Sequence, residues 1–124
     1  MAEIELPDFD DLMQIAEDIS AAKKRLVLNE AILEDRLAVI TQDVSTNEDY
    51  FIKEKPASMR YIEVVYHKVG RNEDERKWLL EMRVQISGDE ALVKYKEMEY
   101  NVYRDMIAVW RTDQANKRGA NWDV

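Results

Sequence analysis

The chain of 124 residues has no cysteine, one histidine, two prolines and three glycines. Without cysteine there is no disulfide, no thiolate zinc site and no thiol nucleophile. His67 alone cannot supply the two Glu-x-x-His motifs of a di-iron bundle, the paired histidines of a zincin, or a hydrolase triad within one subunit that also has to fold around it. Five glycines and prolines cannot punctuate a β-sandwich, which needs a turn about every 8 to 12 residues. No apolar run approaches the roughly 18 residues of a membrane-spanning helix. The stretch Met1 to Asp11 is acidic where a signal peptide is basic, so the expectation is a cytoplasmic protein with no membrane contact. Gly70, Gly88 and Gly119 are too far apart for a phosphate loop. Carboxylate-only magnesium chemistry usually presents Glu-x-x-Glu on facing helices, and that spacing does not occur. These absences lead to the expectation of a non-enzymatic protein with no catalytic residue, no metal and no cofactor.

What is present is helical in character. Hydrophobic residues make up 46% and charged residues 35%, too apolar for a disordered chain and close to the balance of a long-helix protein. The length suits one domain, residues 1–124. The net charge of −8 is unevenly spread: residues 1–20 carry seven acids and no base, leaving 19 acids against 18 bases elsewhere. Such an acidic block reads either as a solvated helix start, where carboxylates suit the dipole, or as an arm that mimics or masks nucleic acid.

Along the chain, Pro7 followed by Asp8, Asp10 and Asp11 marks a helix start after an acidic segment 1–11, and a long helix is expected over about 8–44. Leu12, Ile15, Ile19, Ala22, Leu26, Asn29, Leu33, Arg36 and Ile40 recur at spacings of three and four, a heptad seam. Leu12, Ile15, Ile19, Leu26, Leu33 and Ile40 are therefore candidates for an oligomer interface. Asn29 either sets register within that seam or rotates to its edge. A connector is expected over 45–57, then a short helix over about 58–69 capped by Ser58 and closed by Gly70. Glu63 and His67, one turn apart, read as a surface pair. Asn72 and Glu75 form a capping-box-like start to a second long helix over about 72–118, which Gly88 could break. Its apolar face is read as Leu79, Met82, Ile86, Leu92, Tyr95, Val102, Met106 and Val109. A hairpin pairing the β-branched stretch Tyr61–Val69 with Leu80–Ser87 is the alternative for that region. The fold class expected is all-α: two long antiparallel amphipathic helices with a short connecting helix, assembling as a coiled-coil or helical-bundle oligomer.

Between Lys94 and Gly119 stand six bases, Lys94, Lys96, Arg104, Arg111, Lys117 and Arg118, against four acids, interleaved with Tyr95, Tyr100, Tyr103 and Trp110. Cations beside aromatics are what single-stranded nucleic acid binding uses, since bases stack while phosphates pair with Lys and Arg. Core packing is the other use of such a stripe.

The stretch Ile86-Ser87-Gly88-Asp89-Glu90-Ala91-Leu92-Val93-Lys94, the tyrosine- and acid-spaced helix behind it, and Lys117-Arg118-Gly119-Ala120-Asn121 together resemble the C-terminal third of bacteriophage UvsY-type recombination mediators. The acidic residues 1–20 and the stretch Glu73–Glu75 depart from a DNA-binding pattern. The resemblance implies a homo-oligomer that binds single-stranded DNA and helps load a recombinase in place of a single-strand-binding protein. It would place the protein in the host cytoplasm, and Lys117 and Arg118 would fall nearest the family's basic tail. From a different class, the seam alone supports a structural or adaptor coiled-coil protein acting only through assembly.

Overall fold

A computed structural model describes Leu6 and residues 8–122, with side chains described as far as Gly119. Pro7, Glu3 and Glu5, which figure in the helix-start reading, lie outside the described residues. Among the described residues the fold is all-α, without strands. A first long helix, Phe9–Thr46, and a second, Glu73–Trp122, are joined by a connector and a short middle helix spanning 59–69. The second helix passes through Gly88 unbroken, where nothing lies within 4 Å of a Cβ position. The region 61–87 is helical rather than a hairpin. No described helix is long and apolar enough to cross a membrane.

Contacts divide the chain into two compact units, each drawing on both long helices: residues up to Lys23 with those from Ala91, and Lys24–Glu90. In the first unit Asp8 starts the helix. Its carbonyl accepts from the Leu12 amide and its side chain from the Asp10 amide, the geometry of an N-cap. Ile15, Ala22 and Val93 are buried there, and the helices are tied by Lys23–Glu97 at 3.1 Å and Lys96–Asp18 at 3.6 Å.

The Lys24–Glu90 unit holds the larger core. Ile40 and Val44 of the first helix, Ala57 of the connector, Ile62 of the middle helix and Leu79 of the second long helix form one buried cluster, flanked by Leu33, Leu37, Tyr50, Tyr66 and Trp78. Burying each large aliphatic side chain contributes about 1.5–3 kcal/mol. Arg36, read as a seam position, is exposed and lies over the Trp78 ring at 4.8 Å instead. A cation can snorkel over an aromatic face at little desolvation cost.

The middle helix is irregular for a local reason. After Ser58 caps it by accepting from the Tyr61 amide at 3.2 Å, residues Ile62–Tyr66 adopt π-helical pairing, with the His67 amide reaching back to the Ile62 carbonyl. One additional residue per turn lets Ile62 enter the core while Tyr66 still packs against that core and His67 faces the first helix. Gly70 then ends the helix with φ +71°, and a Cβ there would meet the Arg76 nitrogen and Glu75 Cβ at 3.0 Å. Only glycine meets both demands.

The connector contains a tight reversal. Ile52 and Lys55 exchange both backbone hydrogen bonds, at 2.8 and 3.1 Å, around Lys53 at φ 53° and Glu54 at φ 66°. Two consecutive left-handed residues are the pattern of a type I′ turn, which favours Asn-Gly over long side chains. Replacing Lys53→Asn together with Glu54→Gly should therefore stabilise the protein by about 1 kcal/mol. The urea midpoint of helical unfolding measures this, and an unchanged or lowered midpoint would show the turn to be unstrained.

Candidate nucleic-acid interface

The six cations singled out in the sequence do not act alike. Lys96 is held by Asp18 and Glu99, at 3.6 and 3.7 Å, with its side chain 23% exposed. Lys117 is paired with Asp113 at 3.1 Å. Both serve the fold more than a ligand. Lys94 is exposed and stands on a different side of the helix from the remaining three. Arg104, Arg111 and Arg118 recur every seven residues, almost two full turns, and so form one line of exposed guanidiniums spaced about 10 Å apart along the helix.

That line borders the main groove of the unit. The groove, about 590 Å³, is walled by Phe9 and Leu12 from the first helix and by Tyr100, Ile107 and Trp110 from the second, with Arg104 and Arg111 also lining it. The intervals 100, 104, 107 and 111 are four, three and four residues, which puts these side chains on one helical face. Tyr100 and Trp110 are half-buried and Phe9 is 70% exposed. A slot with aromatic and aliphatic walls and cations at its edge can take a flat apolar group while pairing an attached anion. No protein-family model, curated protein or solved structure matches the chain. The chemistry must therefore be argued from the groove itself. Phe9 is the wall residue that sequence reasoning missed; it stands among acids in a segment otherwise read only for charge.

The apolar face of the second helix differs from the reading made on sequence. Leu79 is buried and Met82, Ile86 and Leu92 are half-buried, but Tyr95, Val102, Met106 and Val109 are exposed, at 63%, 56%, 41% and 53%. The inward positions are Val93, Lys96, Tyr100, Tyr103, Ile107 and Trp110. Both sets recur at intervals of three and four, so periodicity alone does not choose between them. The seam read on the first helix faces inward: Ile15 and Ile40 are buried, and Leu12, Ile19, Leu26 and Leu33 are half-buried within the chain. Asn29 is half-buried and borders a small cleft with Arg25, Gln85, Gly88 and Asp89.

The most perturbed ionisable groups lie in the other unit and are structural. Arg71 donates to both Glu75 oxygens, at 2.9 and 2.6 Å, and to Asp43 at 2.9 Å; Arg36 approaches Glu75 at 3.6 Å. The Arg71 guanidinium holds the Glu75 carboxyl below its usual range against the opposing effect of burial. In return Glu75 raises Arg71. Every polar atom in the cluster has a partner, which is the mark of a clamp rather than of a reactive group. Burial, with Tyr61 and Tyr50 adding to it, raises the Tyr66 hydroxyl, and edge-on contacts to those two rings hold it in place. His67, read as a surface partner of Glu63, is half-buried and bonded to Thr41 at 2.7 Å instead. The Thr41 hydroxyl donates to the Leu37 carbonyl, so its oxygen accepts from the imidazole and the proton sits on Nε2. Arg83 donates to the His67 carbonyl. Among the described residues no cluster of three acids or histidines gathers that could hold a metal ion.

Because the folded state lowers the Glu75 carboxyl, its stabilisation is complete above the ordinary carboxylate range near 4.3 and is lost as pH falls through the folded-state value. Glu75→Gln should cost about 3 kcal/mol at neutral pH by leaving Arg71 without its main partner, and it should flatten the loss of stability below about pH 4. Denaturant unfolding at several pH values measures both effects; a variant with the wild-type acid limb would remove Glu75 from that role.

Proposed function

We propose that the protein binds single-stranded nucleic acid as a non-enzymatic accessory to recombination or replication, with the groove of its first unit as the contact site. The observation that carries this reading is the convergence of Tyr100, Trp110, Arg104 and Arg111 on one groove, with Arg118 extending the cationic line. Bases stack on Tyr and Trp whatever their identity, and phosphates pair with arginines, so such a groove would track a strand without reading its sequence. The exposed carboxylates Asp8, Asp10 and Asp11, beside the wall residues Phe9 and Leu12, would oppose phosphate and hold affinity per site low. Affinity would then come from several copies acting along one strand. The likeness of the last third of the chain to phage recombination mediators supports a role beside a recombinase or a single-strand-binding protein.

A second reading, a structural or adaptor protein that works only by assembly, is favoured by the apolar side chains left in water on both long helices, such as Val27 and Leu28 on the first and Met98 on the second, each at least 60% exposed. The two readings part at ligand binding.

Fluorescence anisotropy of a labelled single-stranded oligonucleotide should give an affinity that falls steeply with salt. In Arg104→Glu with Arg111→Glu the slope of log K against log salt should drop by about 1.4, at roughly 0.7 per phosphate contact, with helicity unchanged. Trp110→Ala should cost about 1–3 kcal/mol of binding, whereas Asp8→Asn, Asp10→Asn and Asp11→Asn together should tighten it. Absence of binding even at low salt would leave the assembly reading alone.

A further inference from the structure

The second long helix carries more apolar surface than its own chain covers. In the unit that contains residues from Ala91 onward, Tyr95, Met98, Val102 and Val109 are 53–68% exposed and Met106 is 41% exposed. With Ala91 they fall at intervals of four, three, four, four and three. The mean interval equals the roughly 3.6-residue turn of an α-helix, so the stripe runs straight along the helix instead of winding around it. A large side chain with half its surface in water offers on the order of 100 Å², and five of them approach the several hundred Å² that mark an interaction site. Doubled by a like surface and widened by flanking side-chain stems, the buried area would reach the roughly 1,000 Å² that a specific interface needs.

We propose that the occupant of this stripe is the same stripe on a second copy of the chain, running antiparallel, so that the protein is a two-fold dimer through its last helix. The stripe is complementary to itself in that direction. When Met98 of one copy faces Val102 of the other, Ala91 falls opposite Val109 and Tyr95 opposite the Asp105–Met106 pair, so that small residues meet large ones. Lys94 and Asp105, both exposed, sit on the same flank of the stripe, about 80° and 60° from Val102. Antiparallel pairing brings Lys94 of each copy to Asp105 of the other, and symmetry makes that contact twice. Parallel pairing would set Asp105 against its own equivalent. Arg104 and Arg111 each stand two residues beyond a stripe residue, about 200° around the helix, so the dimer leaves the arginine-lined groove open on the far side. The proposal is independent of whether that groove binds nucleic acid.

Sedimentation equilibrium on the full chain tests it, with circular dichroism as the check on folding. The wild-type mass should be twice the 14.6 kDa of one chain, and Val102→Glu should be a helical species of 14.6 kDa. Lys94→Glu alone should weaken association at least about tenfold, the order expected for losing two symmetry-related charge pairs and gaining two repulsions. Lys94→Glu with Asp105→Lys should restore it. A wild-type protein that stays at the mass of one chain at high concentration would overturn the proposal. So would a folded Val102→Glu variant of unchanged mass, or a charge-swapped double variant as weak as the single one.

Discussion

Arg71 sits where the chain has turned back and must start a helix of 50 residues beside the end of one of 38. Helix starts leave amide donors without partners and helix ends leave carbonyls, and within the Lys24–Glu90 unit both kinds of terminus lie close together. One guanidinium bridges them, reaching Glu75 in the first turn of the second helix and Asp43 near the end of the first. Asn72 satisfies the Glu75 amide, and the Glu75 side chain reaches past the cap to the Arg71 amide. Because Gly70 bends the chain at a positive φ just before this cluster, Glu75 can approach so closely that no Cβ fits between them. Removing water from the pair strengthens the Coulomb attraction, but the arrangement succeeds only because every oxygen and nitrogen in it is also hydrogen-bonded.

The second helix divides its labour by face. From Ala91 onward one face, with Val93, Tyr100, Ile107 and Trp110, meets the start of the first helix and, with Phe9 and Leu12, forms a groove that packing leaves unfilled. The opposite face is a second apolar stripe in water. Two apolar faces on one helix mean that one partner helix cannot satisfy it. The paired lysines Lys96 and Lys117 belong to the internal economy of the fold, while the seven-residue arginine line lies along the groove. Charge sorted in this way gives a chain with a net charge of −8 one local surface that is cationic.

Much of the fold was legible because a helical seam declares itself when one face only is apolar. Leu12 to Ile40 do so, and the positions they mark face inward. The caps were equally readable: Ser58, Gly70 and Asn72 each have a single conformational role that few residue types can fill. The second helix was not legible to the same degree. Tyr95, Val102 and Met106 are as hydrophobic as Tyr100, Ile107 and Val93, and no local rule says which set meets the first helix. His67 was misjudged for a related reason. Its position one turn from Glu63 suggests a surface pair, but the π-helical stretch before it rotates the ring toward Thr41, and Ile62–Tyr66 carries no sequence signal for that irregularity. The groove was half visible: its cations and aromatics stand out, whereas Phe9 lies some ninety residues away in sequence and joins them only through tertiary packing.

The π-helical stretch also limits how the chain can vary. A π turn is equivalent to one residue inserted into an α-helix, and its removal would let the segment relax to regular geometry at little local cost. Everything after it would then be turned by about 100° relative to what precedes it. Ile62 enters the core from one side of this stretch, while His67 and Gly70 meet their neighbours from the other. A one-residue deletion, tolerable in most surface helices, would here set the two halves of the middle helix facing in incompatible directions. The length of this segment is therefore as specific as its composition.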